Sequence, residues 1–234
     1  MKIKFTFALL PALMLAACQS HDAQDPSGGY FPLNVGQQWT YQLVTDMKDD
    51  LLHDTIVLSV DRSIELDGWE TWVRRNSTGI EYYLRRDDKG IRRVATRTDL
   101  QEQPQLDANA RYVLKTPLKV GDTWDAMTVP YLLRRSNEQP RDLIQTHQAF
   151  MTYRVESLNE KVEVPAGEFS GCALVRGEAA LRLFTDPNSG FTDVPLVTRE
   201  WYCQSVGLVK FDREESVPAS SFMTGGKVSY VLVK

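Results

Sequence analysis

The residues of this chain that could carry chemistry are few. Three cysteines (Cys18, Cys172, Cys203) could be acylated, oxidised to a disulfide, or serve as nucleophiles or metal ligands. Three histidines, His21, His53 and His147, lie in polar stretches far apart in sequence and read as solvated. There is no His-Glu-x-x-His pair, no Cys-x-x-Cys pair, no Gly-x-Ser-x-Gly elbow and no phosphate-binding glycine loop. Zinc, nucleophilic and nucleotide chemistry therefore lose their usual sequence support. Two acidic clusters remain. Asp46, Asp49, Asp50 and Asp54 read as a solvated hairpin loop, and Asp186-Pro187-Asn188-Ser189-Gly190 with Asp193 offers calcium-like oxygens. The second lacks the EF-hand spacing and is a ready turn by its own composition, so no metal site is assigned.

The N-terminus is more specific. Met1-Lys2-Ile3-Lys4 is basic, and residues 5–16 form an apolar run of about 12 residues. A membrane-spanning helix needs about 20, so the run reads as the core of a signal peptide, residues 1–17. It ends in Leu15-Ala16-Ala17-Cys18, which resembles the bacterial lipobox. That resemblance implies cleavage before Cys18 and a diacylglycerol on its thiol. The protein is then anchored to a membrane without spanning it. Gln19 follows the cysteine where aspartate would resemble an inner-membrane retention signal, so the implied location is the outer membrane, on its periplasmic side. Residues 18–29 then form the lipidated cysteine and a polar, flexible tether.

Processing also changes the charge. The full chain of 234 residues carries 27 basic and 31 acidic residues, and cleavage removes Lys2 and Lys4, leaving 25 against 31. An acidic chain argues against a nucleic-acid partner. Two cysteines stay in an oxidising compartment, so Cys172 and Cys203 are expected to pair, with two buried thiols or a catalytic thiol as the alternatives. The charge is uneven. Residues 74–97 hold eight basic residues against Glu81, Asp87 and Asp88. Arg75, Arg86 and Arg93 on neighbouring strands could form a patch for an anionic lipid or an acidic protein face; cross-strand ion pairs are the plainer reading.

The elements that must position these groups are strands. Alternating and β-branched runs recur at residues 38–44, 55–60, 69–75, 80–86, 111–114, 150–155, 161–164, 173–175, 199–203, 208–211 and 228–233, separated by Gly- and Pro-containing turns. No stretch keeps a 3.6-residue apolar period; residues 137–147 come nearest and read as a loop. The fold expected is mainly β with few or no helices: duplicated antiparallel strands forming a curled sheet or open half-barrel.

The duplication is written in a repeat. Pro32-Leu33-Asn34-Val35-Gly36-Gln37-Gln38-Trp39 recurs as Pro117-Leu118-Lys119-Val120-Gly121-Asp122-Thr123-Trp124. Pro32 and Pro117 suit the approach to a strand, Gly36 and Gly121 permit a positive-φ turn, and Trp39 and Trp124 are large core anchors. A second echo pairs Glu81-Tyr82-Tyr83 before Gly90 with Glu200-Trp201-Tyr202 before Gly207. Residues 30–234 are thus expected to form one β domain of two similar halves, about 30–115 and 116–234.

Residues 31–41 (FPLNVGQQWTY), 162–169 (VEVPAGEF) and 201–210 (WYCQSVGLVK) resemble signatures of a broad group of uncharacterised bacterial lipoproteins. The group brings no established activity. Its β-rich body invites comparison with open half-barrel lipoprotein carriers of lipid, although the long helices that lid those carriers are not evident here. The function expected is a non-enzymatic binding or structural component of the cell envelope, partnered by the membrane through its anchor and by an envelope protein or anionic lipid. The alternative is a carrier or binder of a lipid or other hydrophobic ligand in the concave face of the sheet. No cofactor is expected. Cys18→Ser should release the protein from the membrane fraction and abolish a lipid-sized mass increment on the N-terminal peptide; membrane retention without that increment would overturn the anchor.

Overall fold

The computed structural model describes residues 29–47, 50–135, 147–217 and 222–234. The signal peptide, Cys18, nearly all of the tether and residues 137–146 of the expected loop lie outside these residues.

All regular secondary structure among the described residues is strand. In chain order the strands are β1 (Gln38–Met47), β2 (Asp50–Leu66), β3 (Trp69–Asn76), β4 (Glu81–Asp87), β5 (Gly90–Arg97), β6 (Gln105–Lys115), β7 (Thr123–Thr128), β8 (Arg134–Arg135), β9 (Ala149–Val164), β10 (Gly167–Asp186), β11 (Gly190–Cys203), β12 (Gly207–Glu215), β13 (Met223–Thr224) and β14 (Gly226–Leu232). Twelve of them make one antiparallel sheet in the order β6-β5-β4-β3-β2-β1-β14-β12-β11-β10-β9-β7, and β8 pairs with β13 separately. The sheet curls without closing, as a chain of short-turned antiparallel strands does when strand twist accumulates.

The order is two meanders of six strands, β1 to β6 and β7, β9 to β12 and β14, joined where β1 pairs with β14 from Tyr41↔Leu232 to Met47↔Gly226. The entry to each meander is built alike. Gln37 N donates to Asn34 O at 3.0 Å, Gly36 N to Val60 O at 2.8 Å, and Val60 N to Gln37 O at 2.9 Å. Asp122 N donates to Lys119 O at 3.0 Å, Gly121 N to Val155 O at 2.8 Å, and Val155 N to Asp122 O at 3.0 Å. Gly36 and Gly121 hold φ of 88° and 91°, a left-handed conformation that a side chain would strain. Trp39 and Trp124 then enter β1 and β7 buried.

Several strands are longer than their apolar runs. Residues 150–155 and 161–164 are the two ends of β9, and residues 173–175 sit inside the 20-residue β10. Register shifts at Phe169/Cys172, Cys172/Leu174 and Leu174/Val175 let the β9–β10 hairpin bend while staying paired. Ladder hydrogen bonds carry the strand through polar positions that break the sequence pattern.

The core spans both meanders. One cluster joins Phe31, Leu84, Ile91 and Leu114 to Trp124, Val155, Val175 and Tyr202; another joins Trp39, Tyr41 and Val60 to Val162, Cys172, Cys203 and Val209. Cys203 and Trp201 pack in the second cluster, while Tyr202, on the opposite side of β11, packs in the first. β11 is thus covered on both faces at this point. Cys172 and Cys203 are bonded, with Cα atoms 4.2 Å apart across β10 and β11. The bridge closes a loop of 31 residues, worth about 3–4 kcal/mol in the chain-entropy account. Urea denaturation of the double variant Cys172→Ala/Cys203→Ala should show a stability loss of that order; an unchanged midpoint would remove the staple from the stability of the fold.

Candidate functional site

Because the sheet curls, alternate residues of both meanders turn toward one concave space. A cavity of about 360 Å³ lies there. Its apolar walls are Phe31, Leu58 of β2, Leu84 of β4, Val113 of β6, and Leu208 and Phe211 of β12. Four tyrosines also face it, Tyr82, Tyr131, Tyr202 and Tyr230. Four charged side chains complete it: Arg74 of β3, Arg93 of β5, Arg111 of β6 and Glu200 of β11. A second space of about 280 Å³ shares Arg93, Arg111 and Tyr131 and is otherwise lined by the edge strands, including Asp107, Met127 and Thr128, and by Val129 and Gln148 beside them. These three shared residues form a polar collar where the two spaces meet beside the β6–β7 seam.

Each charge has its own support. The Arg74 guanidinium lies 4.3 Å from the Phe31 ring centre and 4.6 Å from that of Trp39, and it donates to Pro32 O at 3.0 Å. It is 8% exposed, its Nε has no hydrogen-bond partner among the described residues, and burial pulls its pKa down to about 10. Arg93 Nε meets Asp107 at 2.7 Å. Arg111 donates to Met127 O at 2.9 Å, across the seam from β6 to β7. Glu200 accepts a hydrogen bond from the Tyr202 hydroxyl, and burial raises its pKa despite that bond and the nearby Arg111 and Arg213. Burial holds the phenols of Tyr41, Tyr153 and Tyr202 well above their ordinary range and pushes Tyr230 up to about 12, so all four stay neutral hydrogen-bonding groups.

Tyr131 is held by a buried ion pair. Arg213 Nε meets Glu215 at 2.7 Å, and the two side chains are 1% and 0% exposed. Glu215 also accepts from the backbone N–H groups of Tyr131, Leu132 and Leu133, while Arg213 reaches Thr128 and Val129 O and stacks 3.9 Å under the Tyr131 ring. Each nitrogen of the guanidinium and each oxygen of the carboxylate thereby has a partner, the condition for burying two charges.

The basic segment is distributed differently from the expected patch. Arg93 faces the cavity, whereas Arg75 lies on the other face of β3 from Arg74, exposed beside Asp99 at 3.5 Å. Arg86 lies over the Trp72 ring, 5.1 Å from its centre. The three do not gather. Ion pairs use Arg75, Arg85, Arg92, Arg93 and Arg97, with Asp99, Asp67, Asp87, Asp107 and Glu81. Strand alternation explains the scatter, since adjacent arginines of a doublet point to opposite faces. Arg74 and Arg111, the cavity cations without a carboxylate partner among the described residues, were not singled out from sequence: Arg74 was one member of a doublet, and Arg111 lies outside the segment.

Elsewhere, Asp186 Oδ1 accepts from the backbone of Asn188 and Ser189 at 2.7 and 2.8 Å, capping the β10–β11 turn. Asp46, Asp50, Asp54 and His53 are exposed and His147 is half-buried. No metal-ligand cluster of three or more such side chains occurs among the described residues.

No protein-family model matches the chain, and comparison with curated proteins finds no significant match. Two solved structures resemble it. One is a candidate lipoprotein from Parabacteroides distasonis, 15% identical, with 88% of this chain and 97% of that one covered and a TM-score of 0.41. The other is a candidate exported protein with a YmcC-like fold from Bacteroides fragilis, 16% identical, with 87% and 97% covered and a TM-score of 0.37.

The echo of Glu81 and Glu200 yields opposite electrostatics. Glu81 is ion-paired to Arg62 and Arg97 and accepts from Tyr83, which lowers its pKa to about 2. Its contribution to stability is present above the ordinary carboxylate range and is lost as pH falls toward 2. Glu200, with its pKa raised, stabilises the fold when protonated, and that contribution is lost as pH rises. At pH 7, Glu81→Gln should therefore cost about 1–3 kcal/mol while Glu200→Gln should raise the melting temperature, with both differences shrinking in acid. Thermal melts at pH 7 and below pH 4 check both signs.

Proposed function

We propose that this chain is a lipid-anchored envelope protein that acts by binding, and that its concave cavity holds a hydrophobic or amphiphilic ligand drawn from the envelope. The observation that carries this reading is the cavity itself, faced by apolar side chains from both meanders. At about 360 Å³ it falls in the lower part of the size range of small-molecule sites, about 300–1,000 Å³. That capacity suits one chain or one compact ring system more than a diacyl lipid.

The competing reading, a basic outer surface for a protein or membrane partner, has less support. Arginines of the basic segment are engaged by carboxylates of this same chain, and the cavity-facing ones are turned inward. The lipobox resemblance at Cys18 supports attachment to the membrane, and Gln19 supports the outer membrane as its location.

Mass spectrometry of the full-length protein, extracted gently from membranes and compared with Val113→Trp, tests the reading. Val113 is half-buried and lines the cavity, so the larger ring fills ligand space. A co-purifying amphiphile that falls at least about tenfold in a folded Val113→Trp variant is expected. Equal recovery from both proteins, or none from either, would overturn ligand binding in the cavity.

A further inference from the structure

We infer that the cavity selects an amphiphile with an anionic head, and that the head sits at the collar against Arg111 and Arg93 while the apolar chain enters the cavity. This deepens the function proposed above and rests on it.

The argument begins with register. Leu84, Arg93 and Arg111 are successive cross-strand partners on β4, β5 and β6. They therefore share one face, and all three line the cavity. Directly opposed residues on neighbouring strands have Cβ atoms about 5 Å apart, and like charges placed so repel. Asp107 relieves this repulsion at Arg93 only, at 2.7 Å. Arg111 has no carboxylate within ion-pair distance among the described residues; it donates to a neutral carbonyl, Met127 O, and burial disfavours the charge of the nearby Glu200. A second anion at the collar would complete what Asp107 begins.

The same two guanidiniums also line the second space, and Arg93 keeps 22% of its side chain exposed, so this pole is reached from solvent. Past them the wall turns apolar, with Leu84, Val113, Leu208 and Phe211. Paired cations at one pole of a chamber walled largely by apolar and aromatic side chains suit an anionic amphiphile, head at the collar and chain within. The single carboxylate on the cavity wall, Glu200, does not cancel this preference: its Tyr202 bond engages it, and burial disfavours its charge. Arg74 adds a further buried cation to the chamber. Guanidinium forks bind carboxylate and phosphate alike, so the shared chemistry is an anionic oxygen head on one chain.

The test is titration of dodecanoate, dodecyl phosphate, dodecanol and dodecyltrimethylammonium, each below its micelle concentration, into the full chain carrying Cys18→Ser. That substitution removes the thiol that would hold the anchor. Calorimetry should show one or both anions binding at least about tenfold more tightly than dodecanol, with the cation weakest. The tighter anion identifies the source as a fatty acid or a phosphate-headed lipid. In a folded Arg111→Gln variant the preference of the anions over dodecanol should be abolished, and Arg111→Lys should restore part of it. Dodecanol or the cation binding as well as the anions would overturn the head-group inference and leave the cavity reading intact. An anion preference that survives Arg111→Gln would overturn the assigned collar. No binding of any probe would overturn both.

Discussion

The pairing of β1 with β14 is the constraint on which the rest of the fold depends. Among the described residues it is the one ladder that joins the two meanders directly, first strand to last. Its hydrogen bonds are individually modest, about 1 kcal/mol net each. The larger effect is what the pairing brings together. Two core clusters draw on residues from both meanders, while the cluster of Met151, Leu181 and Leu196 lies within the second and that of Val73, Tyr83 and Ala95 within the first, so each meander buries only part of its apolar surface alone. The cavity has the same dependence, since Leu58, Leu84 and Val113 come from one meander and Leu208, Phe211 and Tyr230 from the other.

A sheet of this width leaves two unpaired edges, which are hazards for aggregation. Here β6 and β7 are brought beside each other by the curl, and Arg111 bridges them at 2.9 Å without continuing the ladder. The buried Arg213–Glu215 pair then fixes the chain just beyond β7 to the end of β12. Buried ion pairs of this kind are better suited to specifying one arrangement than to adding net stability. The arrangement specified is the position of Tyr131 at the collar.

Much of the architecture was legible in the sequence because it depends on local rules. The Pro-Leu-x-Val-Gly repeat marks two turns with matching hydrogen bonds, and Trp39 and Trp124 mark the strands that follow. Val164-Pro165-Ala166-Gly167 and the Asp186–Gly190 stretch mark hairpin turns because their residue types favour them. Strand extents were less legible: β10 runs through Gly177 and charged positions where propensity is weak and ladder pairing decides. The site was least legible. Which member of Arg74-Arg75 turns inward depends on register, and the register of β2 and β3 shifts at Val60/Arg62, a bulge without a clear sequence mark. Arg111 gains its setting from β5 beside it and β7 across the seam, both consequences of tertiary closure.

The backbone near the two chain ends also has a mechanical consequence. Lys234 O accepts from Thr40 N at 2.7 Å, so the final residue lies beside the start of β1. Just upstream, Pro32 O is held by Arg74, and Gly29 O accepts from Ser205 N at 2.8 Å. A pull transmitted through the N-terminal end meets these cross-links to β3 and to the β11–β12 turn before it reaches β1. The force is thus divided between the two meanders at its point of entry, instead of peeling the first strand from the ladder that unites them.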